Sequence, residues 1–379
     1  MKIVIAPDSF KGSLTAKEAC LAIEKGFKKV LPNEEYLLIP MADGGEGTVQ
    51  SLVDATNGTL LEKEVTGPLG TKVKAKFGTL GDKKTAVIEM AQASGIGYVT
   101  KETKNPLITT TYGTGELIKE CLDRNVKQII IGIGGSATND GGAGLAEALG
   151  VKFLDKDNKE VPRGGGYLNL IEKIDTTNLD KRLSDIKIII ASDVTNPLCG
   201  KTGASHVFGP QKGATPEMVL KLDSNLNHYG DLLKTQLNKD VKNIPGAGAA
   251  GGLGAGLLAF TNSEMKKGIN IVVDYVKLKD KLKDADLVIT GEGGMDFQTQ
   301  YGKTPMGVAQ AAKEVNPNLT VMAIAGNLGD NYQDLYAKGF DCMFSSLEKL
   351  DDLENVLKNA ANSLERTAEN IARLVKNLK

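Results

Sequence analysis

Six times along this chain a short apolar run ends in a turn built from glycine and carboxylate-bearing residues. The six are IVIAPDSFKGS (3–13), LLIPMADGGEGT (37–48), IIIGIGGSATNDGG (129–142), IIIASDVTNPLCG (188–200), LVITGEGGMD (287–296) and VMAIAGNLGD (321–330). A run such as Ile129-Ile130-Ile131 leaves no position for a solvent-facing side chain. It predicts a parallel strand buried on both faces rather than a half-exposed one. In open α/β sheets, ligands bind just beyond the carboxyl ends of such strands. The pattern therefore sets flexible, acidic, glycine-lined loops where a ligand sits. It predicts an enzyme that handles a polar, phosphorylated small molecule.

The 379 residues suggest two domains. With 41% hydrophobic and 25% charged residues, the chain has the balance of a folded globular protein. Lys and Arg number 46 against 47 Asp and Glu, so no basic excess points to nucleic acid. Glycine is abundant (44) while proline is not (12). Low complexity without a period would raise both, whereas here the glycines gather at strand ends. Cys20, Cys121, Cys199 and Cys342 lie far apart, and none sits near His206 or His228 with metal-ligand spacing. That argues against zinc and against a disulfide framework, and for a cytoplasmic protein. No run approaches the ~20 apolar residues of a membrane span. The chain enters its first strand at once, too briefly for a signal peptide. Monomer and homodimer both stay open.

The segment order predicts strand 3–6, helix 15–31, strand 36–40 and helix 46–57, with Ser13 or Thr15 as cap and Glu18 completing a capping box. Residues 59–90 break this rhythm. VKAKFGTL alternates with a period of two, which marks antiparallel strands. Helix 113–125, strand 128–133, helix 141–149, strands 151–154 and 187–192, and helix 215–237 follow. After 285 the alternation returns: strand 287–290, helix 304–314, strands 319–325 and 341–345, and a helix over 351–377. The expected fold is α/β: a Rossmann-like or flavodoxin-like parallel-sheet domain made from both chain ends (1–58 and 286–379), with an inserted mixed α+β domain (59–285). An alternative gives strands 128–133 and 187–192 to the parallel sheet as well.

Several turns carry chemistry. PDSFKGS brings Asp8, Ser9, Lys11 and Ser13 into one strand-to-helix turn, where free N–H groups and the helix dipole favour an anion. A plain capping turn with Lys11 in solvent is the blander account. In ADGGEG, Asp43 and Glu46 offer hard oxygens suited to Mg²⁺ or to substrate hydroxyls. ASDVTNPL sets Asp193 and Asn196 at a strand end, where an aspartate can take a hydroxyl proton in phosphoryl transfer; an Asx turn is the alternative. TGEGGMDFQT offers Glu292 and Asp296 across two glycines, each open to a role as base or metal ligand. Gly132–Ala137 fits G-x-G-x-x-A after a strand, with Asp155 further on, but TNDGG interrupts where a dinucleotide-binding helix should run. Gly246, Gly248 and Gly251 spell the same spacing without a preceding strand. Neither Gly200-Lys201-Thr202 nor Gly302-Lys303-Thr304 completes a Walker A, since Thr195 and Phe297 stand where its first glycine belongs. With two histidines and no G-x-S-x-G elbow, a hydrolase triad is disfavoured.

Taken together, IAPDSFKGSL, PMADGGEGT, NPLITTTYGTGELI, GIGGSATNDGGAG, VFGPQKGATPEMV, GAGAAGGLGAGLLAF and VITGEG-x-x-D-x-QT-x-x-GK resemble the bacterial glycerate kinase family, from residue 1 to about 345 and in family order. The resemblance implies ATP-dependent phosphorylation of D-glycerate, 2-phosphoglycerate as product, two α/β domains, and ATP and Mg²⁺ at the site. Where such families read GEGR-x-D, this chain has Gly294. With that resemblance in hand, Lys11, Asp193 and Asp296 are the expected catalytic residues. Asp8, Ser9, Ser13, Asn139, Asp140 and Asn196 are expected to bind substrate. Gly134, Gly135, Ser136, Gly248, Gly251, Gly252 and Lys212 are expected at the nucleotide, and Asp43 and Glu292 at the metal. The competing readings are an NAD(P)-dependent oxidoreductase and a non-catalytic small-acid binding protein.

Overall fold

A computed structural model describes residues 1–378. Two compact units emerge: residues 1–57 with 267–379, and residues 58–266.

The first unit is built on a five-stranded, wholly parallel sheet in the order Cys342–Ser345, Thr320–Ala325, Leu287–Thr290, Lys2–Ile5, Glu35–Leu38. Counted along the unit, that is the flavodoxin-like order 2-1-3-4-5. Its central strands pair Ile3 with Leu287 and Ile5 with Ile289, all buried, as their unbroken apolar runs require. Helices Ala16–Lys28 and Ala360–Leu378 cover one face, packing Ile23, Phe27, Leu364 and Ile371 over Ile3, Ile5 and Ile289. The two helices come so close that a Cβ on Gly26 would lie 2.2 Å from the Glu365 carbonyl oxygen. Helix Thr304–Val315 packs against strand Leu287–Thr290, beside helix Gly268–Tyr275. Thr15 caps the first helix in the expected box, its hydroxyl accepting from Glu18 N and its own N–H donating to the Glu18 carboxylate.

The segment read as one helix over 351–377 is two, Leu353–Lys358 and Ala360–Leu378. Asp352 caps the shorter one by accepting from Asn355 N, and Asn359, off the helical conformation, separates them.

The second unit holds a six-stranded mixed sheet in the order Ser263–Lys266, Lys187–Ala191, Gln128–Gly132, Thr85–Glu89, Lys72–Thr79, Thr59–Thr66. Both strands whose membership was open, Gln128–Gly132 and Lys187–Ala191, therefore belong to this sheet. The alternating segments form the antiparallel edge, with Val65 opposite Val73. Thr85–Glu89 is fully buried and runs parallel to Gln128–Gly132, so it joins the edge to the parallel half. Helices Tyr112–Asp123 and Ala249–Phe260 bring Leu117, Ile118, Leu253 and Leu257 against Ile129, Ile131, Ile188 and Ile190. The glycine tract thus enters a helix, through a first turn in which Ala250, Gly251 and Gly252 all have positive φ. At Gly251 a side chain is excluded as well, since a Cβ would sit 2.0 Å from the Thr138 carbonyl oxygen.

Candidate active site

Strand order in the first unit reverses between Lys2–Ile5 and Leu287–Thr290, one strand leading to each side of the sheet. Loops leaving such a switch point splay apart and leave a crevice. Here those loops carry Asp8 and Glu292. They are tied together at their roots: Ala6 N donates to Ile289 O (2.7 Å), Asp8 N to Gly291 O (2.8 Å) and Thr290 Oγ1 to Ala6 O (2.8 Å). The third acidic loop joins through Met41 N donating to Pro7 O (3.0 Å). Beyond these ties lies a cavity of about 600 Å³.

Asp8, Ser9, Lys11, Ser13, Asp43 and Glu292 all line this cavity, with Lys303. Asp8 is only 7% exposed. Its carboxylate accepts from Ser9 N (2.6 Å), from Ser9 Oγ (3.2 Å) and from the hydroxyl of Thr304. Burial pushes its pKa up to about 6, the nearby charge of Asp43 adds to that, and the hydrogen bonds oppose it. Glu292 accepts from Thr299 Oγ1 (3.0 Å) and lies 3.4 Å from Lys303 Nζ. Burial lifts it to about 7, against the pull of Lys303 and with help from the charge of Asp8. Two acids with pKa values raised into the neutral range, in one cavity with two lysines, are a constellation for moving protons at physiological pH.

Asp296 does not line the cavity. It caps the turn Phe297–Tyr301, accepting from Gln298 N (2.8 Å), 4.0 Å from Lys303 Nζ. Thr304 is a partner of Asp8 that sequence reasoning missed. It belongs to a GKT triplet set aside for failing the Walker pattern, and it meets Asp8 from the far end of the chain. Gly294 forms part of the cavity wall, is exposed, and has open space where a side chain would project.

The remaining expected residues lie in the second unit. Asp193 is exposed on the loop after strand Lys187–Ala191, and Asn196 Nδ2 donates to Thr202 O (2.8 Å). Gly134 and Gly135 are exposed beyond strand Gln128–Gly132 and Ser136 is buried. Asn139, Asp140, Lys212, Gly248, Gly251 and Gly252 are enclosed. Asp140 accepts from Thr111 N (2.8 Å), Thr111 Oγ1 (2.9 Å), Gly142 N (3.1 Å) and Gly144 N (3.3 Å). Asn139 Oδ1 accepts from Ser205 Oγ (3.1 Å), while Asn139 Nδ2 and Thr138 Oγ1 find no partner among the described residues. Lys212, 1% exposed, donates to Thr138 O (2.6 Å).

The dinucleotide reading fails on local structure. After strand Gln128–Gly132 the next helix does not open until Ala143, and Asp155 closes its own turn by accepting from Asp157 N and Lys159 N.

Comparison with known proteins decides the family. The glycerate kinase family model matches residues 3–376. This chain belongs to the glycerate kinase family. A glycerate kinase of Haemophilus influenzae is 55% identical over 375 residues, 99% of each chain. A glycerate 2-kinase of Escherichia coli is 51% identical over 372 residues, covering 98% of this chain and 97% of its own. A crystal structure from Salmonella typhimurium LT2, described as a candidate glycerate kinase 2, superposes with a TM-score of 0.92 at 51% identity, over 100% of this chain and 98% of that one. As a member of the glycerate kinases the chain is a phosphotransferase, and the reaction of a kinase brings ATP as co-substrate. The oxidoreductase and binding-protein readings find no support. Among the described residues no helix is long and apolar enough to cross a membrane.

Proposed function

We propose that this kinase transfers the γ-phosphoryl group of ATP to the 2-hydroxyl of D-glycerate, giving 2-phosphoglycerate and ADP. The observation that carries the site assignment is the pairing of Asp8 and Glu292 at the switch point of the first unit, both with raised pKa values and both facing one cavity. The position of phosphorylation leans on the Escherichia coli glycerate 2-kinase, half of whose residues this chain shares.

Phosphoryl transfer asks little covalent chemistry of the protein; positioning and charge neutralisation supply most of the acceleration. In our assignment Glu292 accepts the proton of the glycerate hydroxyl. The freed oxygen forms its bond to the γ-phosphorus as the bond to the ADP oxygen breaks, and ADP carries away that electron pair. Lys11 and Ser9 hold the glycerate carboxylate. Lys303, beside Glu292, steadies the charge that grows on the transferring group. Because Gly294 offers no charge where such families have arginine, that neutralisation falls to Lys11 and Lys303. Asp43, with Asp8 behind it, presents hard carboxylate oxygens, a donor set that fits a Mg²⁺ ion held by one or two carboxylates and the phosphates. Such an ion, when bound, neutralises phosphate charge. We assign the enclosed Lys212, Gly248, Gly251 and Gly252 to holding the loop 138–142.

A second reading gives proton acceptance to Asp193, which is exposed at the carboxyl end of a parallel strand. Asp193→Asn and Glu292→Gln separate the two, because only the true base loses turnover at saturating substrate.

The test is ³¹P NMR of the purified protein incubated with D-glycerate, ATP and Mg²⁺. A 2-phosphoglycerate resonance is expected. A 3-phosphoglycerate resonance overturns the position assigned, and unchanged ATP resonances with no phosphoglycerate signal overturn the reaction.

A further inference from the structure

The cavity of the first unit has two unlike ends. One holds the carboxylates and lysines described above. The other is walled by the segment after the last strand, where Leu347, Leu350, Leu353, Val356 and Leu357 alternate with Glu348, Lys349, Asp351 and Asn355. Leu350 is 96% exposed, Leu353 71% and Leu347 41%. Single exposed leucines need no explanation, but several turned toward one concave site mark a surface that something apolar covers. At Leu357 the wall is held against the loop that carries Lys11. Ser13 Oγ donates to Leu357 O (3.1 Å), and Leu357 Cδ1 lies 3.9 Å from where a Cβ on Gly12 would be.

Only one of the two substrates can use such a wall. Glycerate is a three-carbon acid carrying a carboxylate and two hydroxyls, with no apolar face. It fills a small part of about 600 Å³, a volume within the usual range for a drug-sized ligand. ATP combines a highly charged end with a flat, weakly polar base. We infer that Leu347, Leu350 and Leu353 form the nucleobase subsite, clasping the adenine ring of ATP while its phosphates point to the lysine and carboxylate end of the same cavity. This rests on the kinase reading of that cavity. It moves the base-recognition element out of the glycine-rich loops and into a segment whose sequence looks like an ordinary solvated helix. With the base on the leucines, the triphosphate runs toward Lys11 and Lys303 and the acceptor hydroxyl sits at Glu292.

Leu350→Ser and Leu353→Ser, singly and together, test this in the full-length protein. Both side chains are so exposed that folding does not depend on them. The expected result for the double variant is a KM for ATP raised about tenfold, with the KM for glycerate and the melting temperature unchanged. Tripolyphosphate, which lacks the base, should inhibit variant and wild type equally. An unchanged KM for ATP overturns the inference, as does an equal loss for tripolyphosphate. So does a fall in melting temperature without a change in KM, which would mean that protein packing covers the leucines. Saturation-transfer NMR with adenosine separates this inference from the substrate assignment. If the wild type takes saturation to adenosine and the double variant does not, the subsite stands even where glycerate is not phosphorylated. If neither takes it, the subsite fails even where glycerate is.

Discussion

Asp8 and Asp140 are both aspartates on glycine-flanked loops beyond parallel strands, one in each unit, yet their surroundings differ. Asp140 is completely enclosed. Two backbone amides of its own loop, Gly142 and Gly144, with the amide and hydroxyl of Thr111, surround it. Asp8 is nearly as buried, but it opens onto a cavity with Asp43 and Glu292 among its neighbours in place of a ring of amides. Burial raises both pKa values. In the second unit the opposing donors are fixed parts of the fold. In the first, Ser9 and Thr304 supply only part of them, and a substrate or an ion in the cavity must supply the rest. A polar group that the fold satisfies holds a loop, and one left under-compensated beside a cavity is available for chemistry.

The sharpest way to break this contrast is Glu292→Gln. If Glu292 is the proton acceptor, kcat should fall by about 10²–10⁴-fold with the melting temperature unchanged. Its raised pKa adds a pH signature. A base must be ionised to act, so wild-type kcat should rise with pH and level off above about 7. That limb should be absent from the residual activity of the variant. A variant with full turnover at saturating substrate would remove Glu292 from the chemistry and advance Asp193.

The residues of this contrast were unequally legible in the sequence. Asp8 and Glu292 could be found because each follows an apolar run that folds as a buried strand, and Asp43 because it follows the apolar run of the edge strand; strand ends of a parallel sheet are where ligands bind. The switch point was less accessible, since it depends on Lys2–Ile5 and Leu287–Thr290 pairing across almost the whole chain. Thr304 was invisible for the same reason, its contact with Asp8 being purely tertiary. The leucine wall escaped because its leucines sit among charged residues in a stretch whose pattern suits a solvated helix, and Asn359 gives little warning that it splits that helix. In the second unit, TNDGG reads as a polar, flexible turn. Its burial follows from Gly251 and Lys212, which close over the turn from elsewhere in the chain.

Asp140→Ala probes the other side of the comparison, and its first effect should be on stability. The substitution strands the buried amides of Thr111, Gly142 and Gly144. Leaving buried donors unpaired costs about 1–3 kcal/mol apiece, so a loss of about 3 kcal/mol is a lower expectation, since relaxation relieves part of it. For a unit of this size that is roughly 6–12 °C in melting temperature. Thermal unfolding followed by circular dichroism measures it. A variant with a wild-type melting temperature and no turnover would show that Asp140 acts on substrate and that the two aspartates are alike.

Lys212→Met carries the smallest effect and asks the most specific question. Burial holds the Lys212 ammonium down to about 7, with the charge of Asp140 opposing that shift. In the unfolded chain the same lysine titrates near its ordinary 10.5. Between those two values the unfolded state therefore binds more protons than the folded one, and stability must rise with pH across that window. Below pH 7 both states carry the proton, and the folded state bears the full cost of burying the charge. Methionine keeps the length of the side chain and removes the titration. The variant should then lose the stability increase between pH 7 and 10 that the wild type shows, measured as the midpoint of urea unfolding at each pH. It also gives up the hydrogen bond to the Thr138 carbonyl, worth about 1 kcal/mol, which should lower the midpoint most where the lysine is neutral. Were Lys212 a phosphate ligand as well, Lys212→Met would in addition raise the KM for ATP, so an unchanged KM beside the lost pH dependence shows that this enclosed lysine holds the loop and does not reach the substrate.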